Sequence, residues 1–164
     1  MRETNPVILA IDDTPANLLT LGSALAGEFD LRISTFGVHG LELAASIRPD
    51  LILLDVMMPE MDGFEVCQRL KADEQLKLIP VIFITALSDT ESESRGLALG
   101  AADFLAKPLN VGIARQRIRN LIDRETLRQQ VAMQRDQLAS QLEDLRNLSK
   151  AVEQSPVSVV ITDL

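Results

Sequence analysis

Apolar residues in this chain gather in short unbroken runs, and each run ends in a polar or charged residue. Val7-Ile8-Leu9-Ala10-Ile11 leads into Asp12-Asp13, Leu51-Ile52-Leu53-Leu54 into Asp55, and Val81-Ile82-Phe83-Ile84 into Thr85-Ala86. A fourth run, Phe104-Leu105-Ala106, delivers Lys107-Pro108. Such runs read as strands buried on both faces, the kind found in parallel sheets. The segment Leu31-Arg32-Ile33-Ser34-Thr35-Phe36 differs, because apolar and polar residues alternate in it. Alternation marks a half-exposed strand and places it at a sheet edge. Strands are therefore predicted at about 7–11, 31–36, 51–54, 81–84 and 103–106, with helices near 15–26, 38–47, 64–71, 91–99 and from 110 onward.

Strands that alternate with helices imply right-handed βαβ units. The prediction is an α/β fold, a doubly wound five-stranded parallel sheet of order 2-1-3-4-5 (flavodoxin-like), followed by a long C-terminal coiled-coil helix. Its crevice lies between strands one and three, at the carboxyl ends of the strands. Asp12, Asp13 and Asp55 line that crevice, and Thr85 and Lys107 reach the same edge. A lone Asp after a strand is commonly a helix cap or a turn residue. Capping explains Asp12 or Asp13, but not three acids together with Lys107.

The acid pair, the Asp after strand three with Met58-Pro59 and Asp62-Gly63 behind it, the Thr after strand four and the Lys-Pro after strand five resemble the receiver domain of two-component response regulators. The resemblance covers residues 5–122. It implies that Asp55 is the phosphoacceptor and that Lys107 and Thr85 serve the phosphoryl group. It further implies Mg2+ as cofactor, with Asp13, Asp55 and the backbone carbonyl of Met57 as direct ligands and Asp12 acting through water. Hard divalent cations take oxygen ligands, and Mg2+ commonly uses only one or two carboxylates plus a phosphoryl group. The donor would be a histidine kinase or phosphotransfer protein. The same resemblance makes Thr85 and Phe104 a switch pair, with a plain core Phe as the lesser alternative; Phe104 lacks the hydroxyl of a tyrosine, which would soften the coupling. The face changed by the switch would carry Arg95, Asp103, Arg115 and Arg119. In the family the side chains at Met57 and Leu87 border the path of hydrolytic water; both are apolar here, so a slowly hydrolysing phosphoaspartate is expected.

Beyond Pro108 the pattern changes. From Asn110 to Gln154 there is no proline, and Gly112 is the only glycine. Val131, Leu138, Leu145 and Val152 recur every seven residues, with Leu127 and Leu148 on the companion track. That is a coiled-coil signature, interrupted on the companion track by Gln134 and Gln141. Residues 110–152 in helix would span roughly 64 Å, so a partner helix is expected, with a parallel homodimer favoured. The coiled-coil signalling helix is placed at 123–152. From Ser155-Pro156 the chain reads as a strand over 157–162, and residues 153–164 resemble the start of a truncated PAS-like domain. The chain is accordingly expected to be a fragment. Receiver, coiled coil and PAS onset together resemble signalling proteins that end in a diguanylate cyclase or a histidine kinase.

Composition narrows the partners. Lys and Arg number 16 against 24 Asp and Glu, a formal charge of −8, which disfavours nonspecific binding to nucleic acid or an anionic membrane. Aromatics make up 3% with no Trp or Tyr, which argues against a stacking surface for bases. A single cysteine, Cys67, allows no internal disulfide, and no apolar stretch has the length of a membrane span; a cytoplasmic setting is expected. His39 reads as a surface residue and Cys67 as part of a helix packing face. Two other functions compete with the switch. One is a phosphorylation-independent dimerisation scaffold. The other is a haloacid-dehalogenase-like phosphatase, which needs a second acid two residues after its nucleophile, where this chain has Met57.

Overall fold

Successive residues of each inner strand point to opposite faces of one sheet, and each face meets its own layer of helices. The structure, a computed structural model, describes residues 4–86 and 90–154. Five strands, β1 (Val7–Ile11), β2 (Asp30–Ser34), β3 (Leu51–Asp55), β4 (Val81–Thr85) and β5 (Asp103–Ala106), pair in parallel in the order β2-β1-β3-β4-β5. Between and after them run α1 (Pro15–Leu25), α2 (Gly37–Ile47), α3 (Gly63–Ala72), α4 (Thr90–Ala98) and α5 (Val111–Gln154). Ile8, Ala10, Leu51, Leu53, Ile82 and Ile84 face a core completed by Leu21 and Leu25 of α1 and by Ile118 and Leu121 of α5. Leu9, Ile11, Ile52, Leu54, Val81 and Phe83 face the other core, closed by Ala44 of α2 and by Val66, Cys67 and Leu70 of α3. Burial on both faces is what the unbroken apolar runs require.

β2 lies at the edge, as its alternation predicts, but ends two residues early. The Ser34 hydroxyl donates to the Phe36 carbonyl at 2.9 Å and sits 3.0 Å from His39 Nδ1, turning the chain into α2. Phe36 becomes the residue that precedes the helix, and its ring is exposed, as is Ile33.

The chain divides into two compact units at the junction of Asp123 and Arg124, and α5 belongs to both. In the second unit Leu127, Val131, Leu138, Leu145, Leu148 and Val152 are all exposed. The helix continues through Gln154, past the point where a PAS-like segment was expected to begin; the strand expected over 157–162 lies outside the described residues. Among the described residues no helix is long and apolar enough to cross a membrane.

The loop after β3 doubles back tightly on the strand it leaves. Asp62 caps α3 by accepting the Glu65 amide at 2.8 Å, and the Gly63 amide donates to the Val56 carbonyl at 2.9 Å. A Cβ on Gly63 would strike the Asp55 carbonyl oxygen, which is backbone and cannot rotate away. Gly63→Ala is therefore expected to destabilise the domain by roughly 3 kcal/mol through overpacking, read as a lower urea midpoint at unchanged slope.

Candidate functional site

Asp12 follows β1, Asp55 closes β3, Thr85 closes β4 and Lys107 follows β5, so four strand ends deliver their polar residues to one edge of the sheet. Asp12 and Asp55 are only 1% and 2% exposed, and Thr85 is 4% exposed. With half-buried Asp13, each acid offers a carboxylate oxygen, and all of these lie within 4.8 Å of one another. Lys107 Nζ donates to Asp55 Oδ1 at 3.1 Å and stands 3.7 Å from Asp12 Oδ2. Its own amide donates to the Thr85 carbonyl at 2.9 Å, and the Lys107–Pro108 bond is cis.

Charge is not balanced here. Three carboxylates face one ammonium, and two of the three are out of water. Burial pushes the Asp55 carboxyl above the ordinary carboxylate range, and the negative charge of Asp12 pushes it the same way. The Lys107 hydrogen bond and charge, with the Met57 amide 3.4 Å from Asp55 Oδ1, oppose that shift without cancelling it. Like charges held close in a partly dry site are relieved by a hard cation. The donor set, all carboxylate oxygen with no sulfur or imidazole, suits Mg2+ or Ca2+ rather than a softer metal. Asp12 is further tied by Thr14, the residue before α1, and by Asn17 within it. The Thr14 amide donates to its Oδ1 at 2.8 Å, and the Asn17 side-chain amide lies 3.2 and 3.0 Å from its two oxygens.

The structure thus brings together Asp12, Asp13, Asp55, Thr85 and Lys107. Met57 borders the site with an exposed side chain, and Leu87 lies outside the described residues. Phe104 packs against Phe83 with centroids 5.4 Å apart, and Phe83 lies 5.3 Å from Phe64, so three rings form a ladder under α4. Gly96 allows α4 to approach, since a Cβ there would run into the Phe104 ring. His39 is held by Ser34 at the edge of the sheet. Cys67 is fully buried in the core, and burial pushes its thiol pKa up, in keeping with packing rather than chemistry.

The four charges assigned to one face do not share it. Asp103 pairs with Arg117 at 2.9 Å, and Arg117 also donates to the Phe104 carbonyl. Arg115 and Arg119 instead converge on Glu28 in the turn after α1, at 3.8 and 2.6 Å, and Arg95 lies 4.3 Å over the Phe64 ring. Helical geometry explains the division. Residues four apart share a face, whereas Arg117 falls on the other side of the buried stripe of Ala114, Ile118 and Leu121. Sequence reasoning missed both Arg117 and Asn17. The buried stripe of α5 is the signal for the first; for the second the only hint is its place one turn into α1 behind the acid pair.

The sequence matches the response regulator receiver domain over residues 8–122. The chain belongs to the response regulator receiver family. Among curated proteins this receiver domain is similar to the DNA-binding dual master transcriptional regulator RpaA of Synechocystis sp., 43% identical over 121 residues that make up 73% of this chain and 50% of RpaA. It is also similar to the response regulator PleD of Caulobacter vibrioides, 44% identical over 115 residues, 70% of this chain and 25% of PleD. The chain thus spans between a quarter and a half of the length of these relatives. Among solved structures, the receiver domain of the sensor histidine kinase PA1611 from Pseudomonas aeruginosa, which holds a magnesium ion in its active site cleft, matches with a TM-score of 0.68 at 25% identity, over 73% of this chain and 99% of that one.

The raised Asp55 carboxyl has a measurable consequence. A folded-state pKa above the unfolded value near 3.8 means that the folded receiver keeps a proton that the unfolded chain has lost. Stability should therefore fall as pH rises from the unfolded to the folded pKa, and the penalty should be complete above it. In chelator at neutral pH, Asp55→Asn is expected to melt a few degrees higher than wild type. The gain should vanish as the pH is lowered below the range in which Asp55 takes up its proton, as followed by circular dichroism.

Proposed function

We propose that this chain is the phosphoacceptor switch of a two-component phosphorelay, with Asp55 taking a phosphoryl group from a phosphohistidine. The observation that carries this reading is the buried Asp55 carboxylate with Lys107 Nζ at 3.1 Å from one oxygen. Oδ1 accepts from both Lys107 and the Met57 amide, and among the described residues Oδ2 has no hydrogen-bond donor, so Oδ2 is the oxygen that attacks. In the transfer Asp55 Oδ2 bonds to phosphorus, the phosphorus–nitrogen bond of the donor breaks and its imidazole leaves. Lys107 is within reach of an oxygen on the incoming group and offsets its charge, and the Thr85 hydroxyl is a donor for another. Asp13, Asp55 and the backbone carbonyl of Met57 would hold Mg2+ directly and Asp12 through water; the bound ion would draw charge away from the phosphoryl oxygens. The magnesium in the PA1611 receiver domain supports that choice of ion. The partner is a histidine kinase or phosphotransfer protein, and the setting is the cytoplasm.

Output follows from Thr85 and Phe104. A shift of Thr85 toward the phosphoryl group opens space beside Phe104, whose ring borders the groove between α4, β5 and α5. The change leaves through α5, with Leu127, Val131, Leu138, Leu145, Leu148 and Val152 as the seam of a parallel homodimer, to a downstream module such as a diguanylate cyclase or a histidine kinase. The exposed heptad stripe also supports a second reading, a dimerisation scaffold whose acidic site plays no part. Turnover of external phosphate esters as a phosphatase is disfavoured, because Met57 stands where that chemistry needs a second acid.

Intact mass after incubation with Mg2+ and acetyl phosphate separates these. Wild type should gain one phosphoryl group and Asp55→Asn none, while Lys107→Ala should react roughly a hundredfold more slowly, as expected for loss of a charge-stabilising group. A wild-type chain that stays unmodified while holding Mg2+ would leave the scaffold as the better account. Sedimentation addresses the helix: wild type should dimerise with concentration, and Leu138→Asp should remain monomeric at every loading.

A further inference from the structure

Asn17 sits in the first turns of α1 and is half-buried. Its side-chain nitrogen lies 3.2 Å from Asp12 Oδ1 and 3.0 Å from Asp12 Oδ2. Helix capping does not explain the contact. The start of a helix needs acceptors for its unpaired N–H groups, and Asn17 contributes a donor. The residue at the cap position, Thr14, makes no side-chain cap bond. What Asn17 serves is the carboxylate.

A carboxylate offers about four lone-pair positions on two oxygens. On Asp12 the Thr14 amide takes one at Oδ1, at 2.8 Å, and the Asn17 amide engages both oxygens. Donors on both oxygens fix the plane of the group, and the nearby lysine is left to the other acid. Lys107 is within hydrogen-bond distance of Asp55 at 3.1 Å and outside it for Asp12 at 3.7 Å.

We infer that Asn17 is a positioning residue of the cation site: by holding both oxygens of Asp12, it keeps that acid from joining Asp13 and Asp55 as a direct ligand and so sets a preference for Mg2+ over Ca2+. The physical basis is ligand number and freedom. Mg2+ keeps several waters and binds through one or two carboxylates in strict octahedral geometry, whereas Ca2+ takes six to eight oxygens and accepts bidentate carboxylates in flexible surroundings. Without the Asn17 amide, Asp12 keeps the Thr14 amide on Oδ1, while Oδ2 loses its hydrogen-bond donor and faces only the Lys107 ammonium at 3.7 Å, within a cluster whose oxygens already lie within 4.8 Å. A third carboxylate that can turn toward the ion favours the larger cation.

This inference rests on the reading of Asp12, Asp13 and Asp55 as a divalent-cation site, and the test keeps the two apart. Mg2+ and Ca2+ are titrated separately into the full chain by calorimetry, using wild type, Asn17→Ala, Asn17→Leu and, as a control on the exposed side of the same helix, Leu19→Ala. Melting curves in chelator accompany each. The expected result is that the ratio of Mg2+ to Ca2+ affinity falls about tenfold in both Asn17 variants, the scale typical of outer partners of metal ligands, while Leu19→Ala keeps the wild-type ratio. Two Asn17 replacements of opposite bulk guard against a single packing defect, and melting curves close to wild type would show that the shift in ratio is not general loosening. Wild-type Mg2+ binding with an unchanged ratio in both Asn17 variants would overturn the role of Asn17 alone. A wild-type chain that binds neither ion would overturn the site reading, and this inference with it.

Discussion

Asp12 and Asp55 are held almost out of solvent with the single ammonium of Lys107 between them, and most of the domain is arranged around that uneven balance. Two buried carboxylates cannot share one lysine without cost, as the upward shift of the Asp55 carboxyl records. The fold sustains the arrangement because the acids stand on rigid supports. Each terminates or follows a strand buried on both faces, and neither face leaves room for the strand ends to splay. Gly63 lets the loop behind Asp55 close back on the strand, Thr14 and Asn17 fix Asp12 from the helix side, and the Lys107 backbone is bonded to the end of β4. A site poised in this way favours any event that adds positive charge or spreads the negative charge, which is why cation binding and phosphoryl transfer are natural uses for it.

The sheet and the acidic edge were legible in the residues for a simple reason. Burial on both faces demands unbroken apolar runs, and the chemistry sits where each run stops, so strand position and site position are written in the same signal. The strand order 2-1-3-4-5 followed from one contrast, the alternating β2 against its continuous neighbours. What escaped was set by side-chain direction and by hydrogen bonds over short loops. The end of β2 is decided by the Ser34 hydroxyl, which competes with the extended backbone in a way that hydropathy does not register. Arg115, Arg117 and Arg119 look alike along the chain, and only the phase of α5 against the core sends two of them to Glu28 and one to Asp103. Asn17 was invisible because an asparagine early in a helix has many ordinary uses.

α5 carries two apolar patterns of different kinds. Over its first three turns Ala114, Ile118, Leu121 and Ile122 are buried at ordinary helical spacing, and beyond Asp123 Val131, Leu138, Leu145 and Val152 recur every seven residues and lie exposed. The first pattern is satisfied within the domain; the second is the one that the proposed dimer would use.

α4 meets the domain in a different manner from the other helices. Gly96 rests against the rings of Phe83 and Phe104, and the Arg95 guanidinium stands 4.3 Å from the centre of the Phe64 ring. Through these contacts the height of α4 above the three rings is set by the rings themselves. Such a seat leaves α4 no side chain at position 96 with which to adjust, so the helix rests wherever the rings of Phe83 and Phe104 put it.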